Sequence, residues 1–168
     1  MTDALCIGLV SDTHGQLPAE VLTIFAGVSH ILHAGDVGRL EILTDLEAVA
    51  PVTAVWGNTD GLDVRMRLRE TEHIDMGGKR IVLLHGHQVG SPNPRSLAPV
   101  VPECDLVVFG HSHRPLVERF AGRLFINPGS AGAPRFGVGA CVALLSIEEG
   151  GARAELVELA LQGRPSGS

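Results

Sequence analysis

Most of the polar residues able to do chemistry in this chain fall in six short clusters, and most of these stand where an apolar run stops. They are Asp12-x-His14, Gly35-Asp36, Gly57-Asn58-Thr59-Asp60, His85-Gly86-His87, Gly110-His111-Ser112-His113 and Asn127-Pro128-Gly129-Ser130. Ala4 to Val10 is an apolar run of strand length ended by Ser11-Asp12-Thr13-His14-Gly15, the pattern of a strand buried on both faces. Pro18 then starts a helix, with Leu17, Val21, Leu22, Ile24 and Phe25 at helical spacing and Gly27 as its stop. The unit recurs as His30 to His33 with Gly35-Asp36, a helix from about Leu40 to Val49, and Val52 to Trp56 with Gly57 to Gly61. Strands alternating with helices predict parallel pairing and right-handed crossovers, and such folds gather the loops after successive strands at one sheet edge. Asp12, His14, Asp36 and Asn58 should therefore converge.

The second half reads differently. Glu72 to Met76, Lys79 to Leu84, Asp105 to Phe109, Pro115 to Phe120, Arg123 to Ile126, Ala140 to Ile147 and Arg153 to Leu159 are strand-like. Gly-containing turns, a Pro-rich loop over Ser91 to Pro94 and a short helix near Arg95 to Val100 lie between them. This pattern predicts a β-rich meander. No linker separates the halves, so the expectation is one domain over 1–162, built as two packed sheets with outer helices, and a disordered tail from Gly163 to Ser168. A length of 168 residues and 45% apolar content are enough for a real core. The net charge of −6 argues against a broad nucleic-acid surface. The apolar runs are too short to cross a bilayer, and the first strand begins too early for a signal peptide. Cys6, Cys104 and Cys141 lie apart among apolar residues, as expected of core thiols in a reducing cytoplasm.

Each cluster also has an ordinary reading. Asp and Thr after a strand start turns, Gly-Asp is a common turn, and Gly57 to Gly61 is made of turn residues. Two His-x-His pairs at strand ends beside two Asp-bearing loops are harder to explain that way. Imidazoles and carboxylates in that number suit divalent metal ions. His33 reads either as a packed ring or as support for the site, and His30 and His73 carry no role. Asn127 to Ser130 reads as structural support. Arg114 and Arg135 are candidate phosphate-holding cations.

In this order the clusters resemble those of the calcineurin-like metallophosphoesterase superfamily, and in particular its small phosphodiesterases of the YfcE type, from Ala4 through Ser130. The resemblance implies a four-layer α/β/β/α sandwich and a site for two divalent ions, Mn²⁺ above all, with Fe, Zn or Ni as alternatives. It implies Asp12, His14 and His113 on the first metal, Asn58, His85 and His111 on the second, and Asp36 bridging. Asp36, Asn58 and His111 are then the metal-linked catalytic residues, while Asp60, His87 and Thr59 stand behind them. It further implies a cytoplasmic homo-oligomer acting on a small phosphodiester. Two such cations, about 3.5–4 Å apart, would share a water, lower its pKa and offset phosphate charge during in-line attack.

One departure has a consequence for substrate choice. Many superfamily phosphatases carry Gly-Asn-His-Asp or Gly-Asn-His-Glu, with the His as proton donor to the leaving oxygen, where this chain has Thr59, and a hydroxyl is a poor acid at neutral pH. Weak turnover of phosphomonoesters and better turnover of diesters with acidic leaving groups are expected, since general-acid help contributes about 10²–10⁴-fold. The competing expectation is a non-catalytic protein-binding scaffold of the VPS29 type, a relative that keeps the fold while losing ligands.

Overall fold

The computed structural model describes residues 4–132 and 139–160. The expected tail at 163–168 and the candidate cation Arg135 lie outside them. The first sheet contains β1 (Leu5–Val10), β2 (His30–His33), β3 (Val52–Ala54), β9 (Cys141–Glu148) and β10 (Gly151–Glu158), in the order β10-β9-β1-β2-β3. The strands β1, β2 and β3 run parallel, with Val10 opposite His33 and His33 opposite Ala54, while β9 returns antiparallel to β1. The second sheet contains β4 (Thr71–Met76), β5 (Lys79–Leu84), β6 (Leu106–Val108), β7 (Leu116–Phe120) and β8 (Arg123–Asn127), in the order β4-β5-β6-β8-β7. Here β5, β6 and β8 are parallel, and hairpin partners close both edges.

Strand periodicity sorts the core into layers. Ile7 and Leu9 of β1, Leu83 of β5, Val108 of β6 and Ile126 of β8 meet between the two sheets. Their alternate neighbours face outward: Val10 packs with helices α1 (Ala19–Ile24) and α2 (Leu40–Glu47), and Val82, Val107 and Phe125 pack with Leu97 of α4 (Pro94–Leu97). Side chains alternate across a strand, so near-continuous apolar runs serve both faces of a covered sheet. The architecture is the α/β sandwich of two mixed sheets between helices.

Two sequence expectations are corrected. The second half is not a meander, because β5, β6 and β8 pair in parallel and β9 and β10 return to the first sheet. Local runs and turns reveal hairpins, whereas membership of a sheet depends on distant partners. A helix α3 (Leu62–Arg67) also stands where none was assigned. Only Val64 on it is buried, while Leu62 and Met66 are 73% and 78% exposed. Its apolar residues therefore do not mark one inward face.

Candidate metal centre

The loops after β1, β2, β3, β5, β6 and β8 meet at one edge of the sandwich. Backbone hydrogen bonds stitch them together: the Asp12 and His14 N–H groups donate to the Gly35 and Asp36 carbonyls at 3.0 and 2.9 Å, and Gly110 N–H donates to the His85 carbonyl at 2.9 Å. Asp12, His14, Asp36, His111 and His113 all have left-handed backbone, with φ between 48° and 71°. Non-glycine residues avoid this region, so the packed surroundings must hold them there. Both strands stop before their His-x-His pairs. β5 ends at Leu84 and β6 at Val108, and a 3₁₀ turn begins at His87.

Two three-residue groups result: Asp12, His14 and His113, then Asp36, His85 and His111, each with one ligand atom per residue mutually within 4.8 Å. Asp12 Oδ2 accepts hydrogen bonds from Ser11 Oγ at 2.7 Å and the His111 N–H at 3.1 Å. Its Oδ1 faces the nitrogens of His113 at 3.3 Å and His14 at 3.7 Å. Asp36 Oδ1 accepts the Thr59 N–H at 3.0 Å. Its Oδ2 stands between the groups, 3.1 Å from His85 Nε2 and 3.8 Å from His14 Nε2.

Among the described residues, the buried side-chain atoms without a hydrogen-bond partner are Asp12 Oδ1, His85 Nε2, His87 Nδ1 and His113 Nδ1. All but His87 Nδ1 belong to residues of the two groups. Buried polar atoms are nearly always satisfied, so an orphaned carboxylate oxygen beside an orphaned imidazole nitrogen fits a cation between them. His85 Nδ1 lies 2.8 Å from the Ala34 carbonyl and donates to it, which leaves Nε2 free to face the carboxylates. Burial opposes ionisation of Asp12, but His113 and His14 outweigh it and hold the carboxyl far below its usual range. Burial likewise disfavours charge on His85, yet Asp36 and Asp12 prevail and raise its pKa.

The other predicted residues occupy a supporting ring. Asp60 accepts N–H groups of Gly38 at 2.8 Å, Gly57 at 2.9 Å and Val37 at 3.2 Å, fastening the β3 loop around Asp36. Asn58 is exposed on this loop; Arg65 stacks over Trp56 at 4.3 Å and donates to the Asp60 and Asn58 carbonyls. His87 lies outside both groups, with Nε2 3.6 Å from Glu70 Oε1. Asn127 donates to the Gly110 carbonyl and Ser112 Oγ, and Ser130 Oγ donates to the Asp12 carbonyl at 2.8 Å, so the last cluster braces the β1 and β6 loops. His33 does the same from inside. It accepts the Gly35 N–H at Nδ1 and donates from Nε2 to Thr13 Oγ1 at 3.0 Å, and Thr13 in turn donates to the Val37 carbonyl. Sequence reasoning missed Ser11 and Thr13 as supports; adjacency to Asp12 was their only signal.

This fold and a carboxylate–imidazole cluster at the strand ends define the metallophosphoesterase class of hydrolase. Residues 5–150 match the calcineurin-like phosphoesterase superfamily domain, and the chain belongs to that superfamily. It is 36% identical over 142 residues to a probable metallophosphoesterase of Methanothermobacter thermautotrophicus, covering 78% of this chain and 80% of that one. It is 31% identical over 150 residues to the phosphodiesterase YfcE of Escherichia coli, covering 76% and 79%. Its fold is similar to that of a Vps29 single mutant from Entamoeba histolytica, with a TM-score of 0.73 and 25% identity over 93% of this chain and 100% of that one. A phosphoesterase role follows from the family. No helix among the described residues is long and apolar enough to cross a membrane.

Proposed function

We propose that this protein is a phosphodiesterase dependent on two divalent metal ions, Mn²⁺ first among the candidates, and weak on phosphomonoesters. The observation that carries the reading is Asp36 Oδ2 between the two three-residue groups, within 3.8 Å of a histidine nitrogen from each. Asp12, His14 and His113 would hold one ion, His85, His111 and Asn58 the other, and Asp36 both. Ions held by these residues would supply an activated water and neutralisation of phosphoryl charge. The chain itself fixes the geometry: Ser11 and the His111 N–H leave only Oδ1 of Asp12 to ligate, Ala34 selects Nε2 of His85, and Thr59 N–H holds the outer oxygen of Asp36. Thr59 offers no acidic proton to a leaving alkoxide, which favours esters whose leaving group departs unaided.

Hydrolysis of bis(p-nitrophenyl) phosphate and p-nitrophenyl phosphate by chelated and Mn²⁺-loaded protein tests this reading, with Asp36→Asn as control. Diester turnover that needs both metal and Asp36 is expected. Folded protein without turnover in Mn²⁺, Zn²⁺, Ni²⁺ or Fe²⁺ would shift the reading to a protein-binding scaffold.

A further inference from the structure

A groove of about 690 Å³ runs away from the metal cluster, and His111 of the second ligand group forms part of its wall. Its accessible apolar surface comes from Pro115 and Leu116, with Pro92 and Phe109 buried in the lining behind, while Ser112 and Arg114 contribute polar groups. We infer that this groove seats one ester arm of the phosphodiester, a ring-bearing alcohol of nucleoside size, with Arg114 and the segment 90–93 setting which arms are accepted. The inference rests on the phosphodiesterase reading above.

The volume lies in the range of pockets that enclose small organic ligands. Apolar walls with a few polar groups suit a flat heterocycle that buries its faces and hydrogen-bonds at its edges, and a guanidinium can stack on such a ring. Both walls are held in place. Pro92 is buried, Asn93 and Ser96 form a reciprocal cap on α4, and Asn93 Nδ2 and Ser96 Oγ both donate to the Ser91 carbonyl, at 3.2 and 2.9 Å. Opposite, Ser112 Oγ accepts from Asn127 Nδ2 at 3.0 Å and the Arg114 N–H at 3.2 Å. A groove shaped before binding spends little free energy on ordering and discriminates by shape. The segment 91–94 is thus a wall beside the site. Because a monoester has no second arm to place there, the groove favours diesters independently of Thr59.

p-Nitrophenyl thymidine 5′-phosphate and methyl p-nitrophenyl phosphate share a leaving group and differ in the retained arm. With Mn²⁺-loaded protein, kcat/KM should favour the thymidine ester by at least about tenfold, mainly through KM. That ratio should fall at least threefold in both Ser91→Trp and Arg114→Ala, at exposed wall positions chosen to spare folding. A wild-type ratio near one, or a ratio unchanged in both variants, overturns the inference. Amide NMR shifts of metal-free protein with millimolar thymidine provide a reading independent of turnover. If neither ester reacts with any metal, the phosphodiesterase reading fails. Shifts confined to 90–93 and 109–116 then still uphold the groove as a nucleoside site, and their absence overturns it.

Discussion

His85 Nε2 lies 3.1 Å from Asp36 Oδ2, a contact that joins the end of β5 in one sheet to the loop after β2 in the other. The same ring donates to the Ala34 carbonyl on that loop, so His85 pins the two sheets together at the site edge. A cation shared by ligands from both sheets would strengthen this junction, and its loss would leave two buried carboxylates facing orphaned imidazoles.

Metal binding should therefore stabilise the fold. Mn²⁺ at a hundred times its Kd should add about 2.7 kcal/mol per site, seen as a rise in Tm over chelated protein. Metal analysis should find two ions per chain in the wild type and fewer in Asp36→Asn. A Tm indifferent to every divalent ion tested would exclude this cluster as a metal centre.

Replacing Thr59 by His should raise turnover of alkyl monoesters by up to about 10²-fold, with metal content unchanged, and should leave p-nitrophenyl phosphate, whose leaving group departs unaided, little changed. The backbone N–H that holds Asp36 survives the change, and residue 59 is exposed, so the ring has room. Unchanged alkyl monoester kinetics in a fully metallated variant would remove Thr59 as the source of the preference.

A Cβ on Gly110 would collide with Ser11 Oγ and come within 2.6 Å of Asp12 Oδ2, and one on Gly57 would collide with Asp36 Oδ1. Crowding a packed site costs about 1–3 kcal/mol. Gly110→Ala and Gly57→Ala should each lose about that much in urea denaturation of metal-free protein, and should bind less metal. Full stability with full metal loading would show that these loops yield easily.

His33 is fully buried, and desolvation lowers its pKa to about 4 from an ordinary value near 6.5. Its Nδ1 accepts the Gly35 N–H, a role open only to the neutral ring. The unfolded chain takes up this proton as pH falls through about 6.5 and the native chain only near 4, so stability is present above 6.5 and is lost on acidification. The loss attributable to His33 should approach about 3 kcal/mol at pH 4. The raised pKa of His85 acts with the opposite sign and above pH 6.5, while the lowered pKa of Asp12 withdraws stability only below about 3.8. Urea titrations of metal-free protein from pH 7 to 4.5 should fall less steeply in His33→Gln than in wild type. Ring ¹⁵N shifts should show a neutral, Nε2-protonated His33 at pH 5; a charged ring there would refute the argument.

Much of the site was legible in the sequence because its chemistry is written in local units. Each apolar run of strand length ends in a cluster, and parallel strands bring such ends to one edge, so Asp12, His14 and Asp36 could be grouped before any contact was known. The layers of the core were legible too, since two-faced strands need covers on both sides. What local patterns lack is partner choice. Nothing in Leu106 to Val108 or Cys141 to Glu148 states that the first joins β5 and β8 while the second crosses back to β1. The resemblance assigns His111 and His113 to different metals, and in the structure the two, both with left-handed backbone, fall in different three-residue groups. Sequence by itself determined which residue types meet at the sheet edge. Tertiary packing decided which oxygen of each carboxylate and which nitrogen of His85 face inward, because the donors from Ser11, Thr59, His111 and the acceptor at Ala34 arrive from separate loops that only the fold brings together.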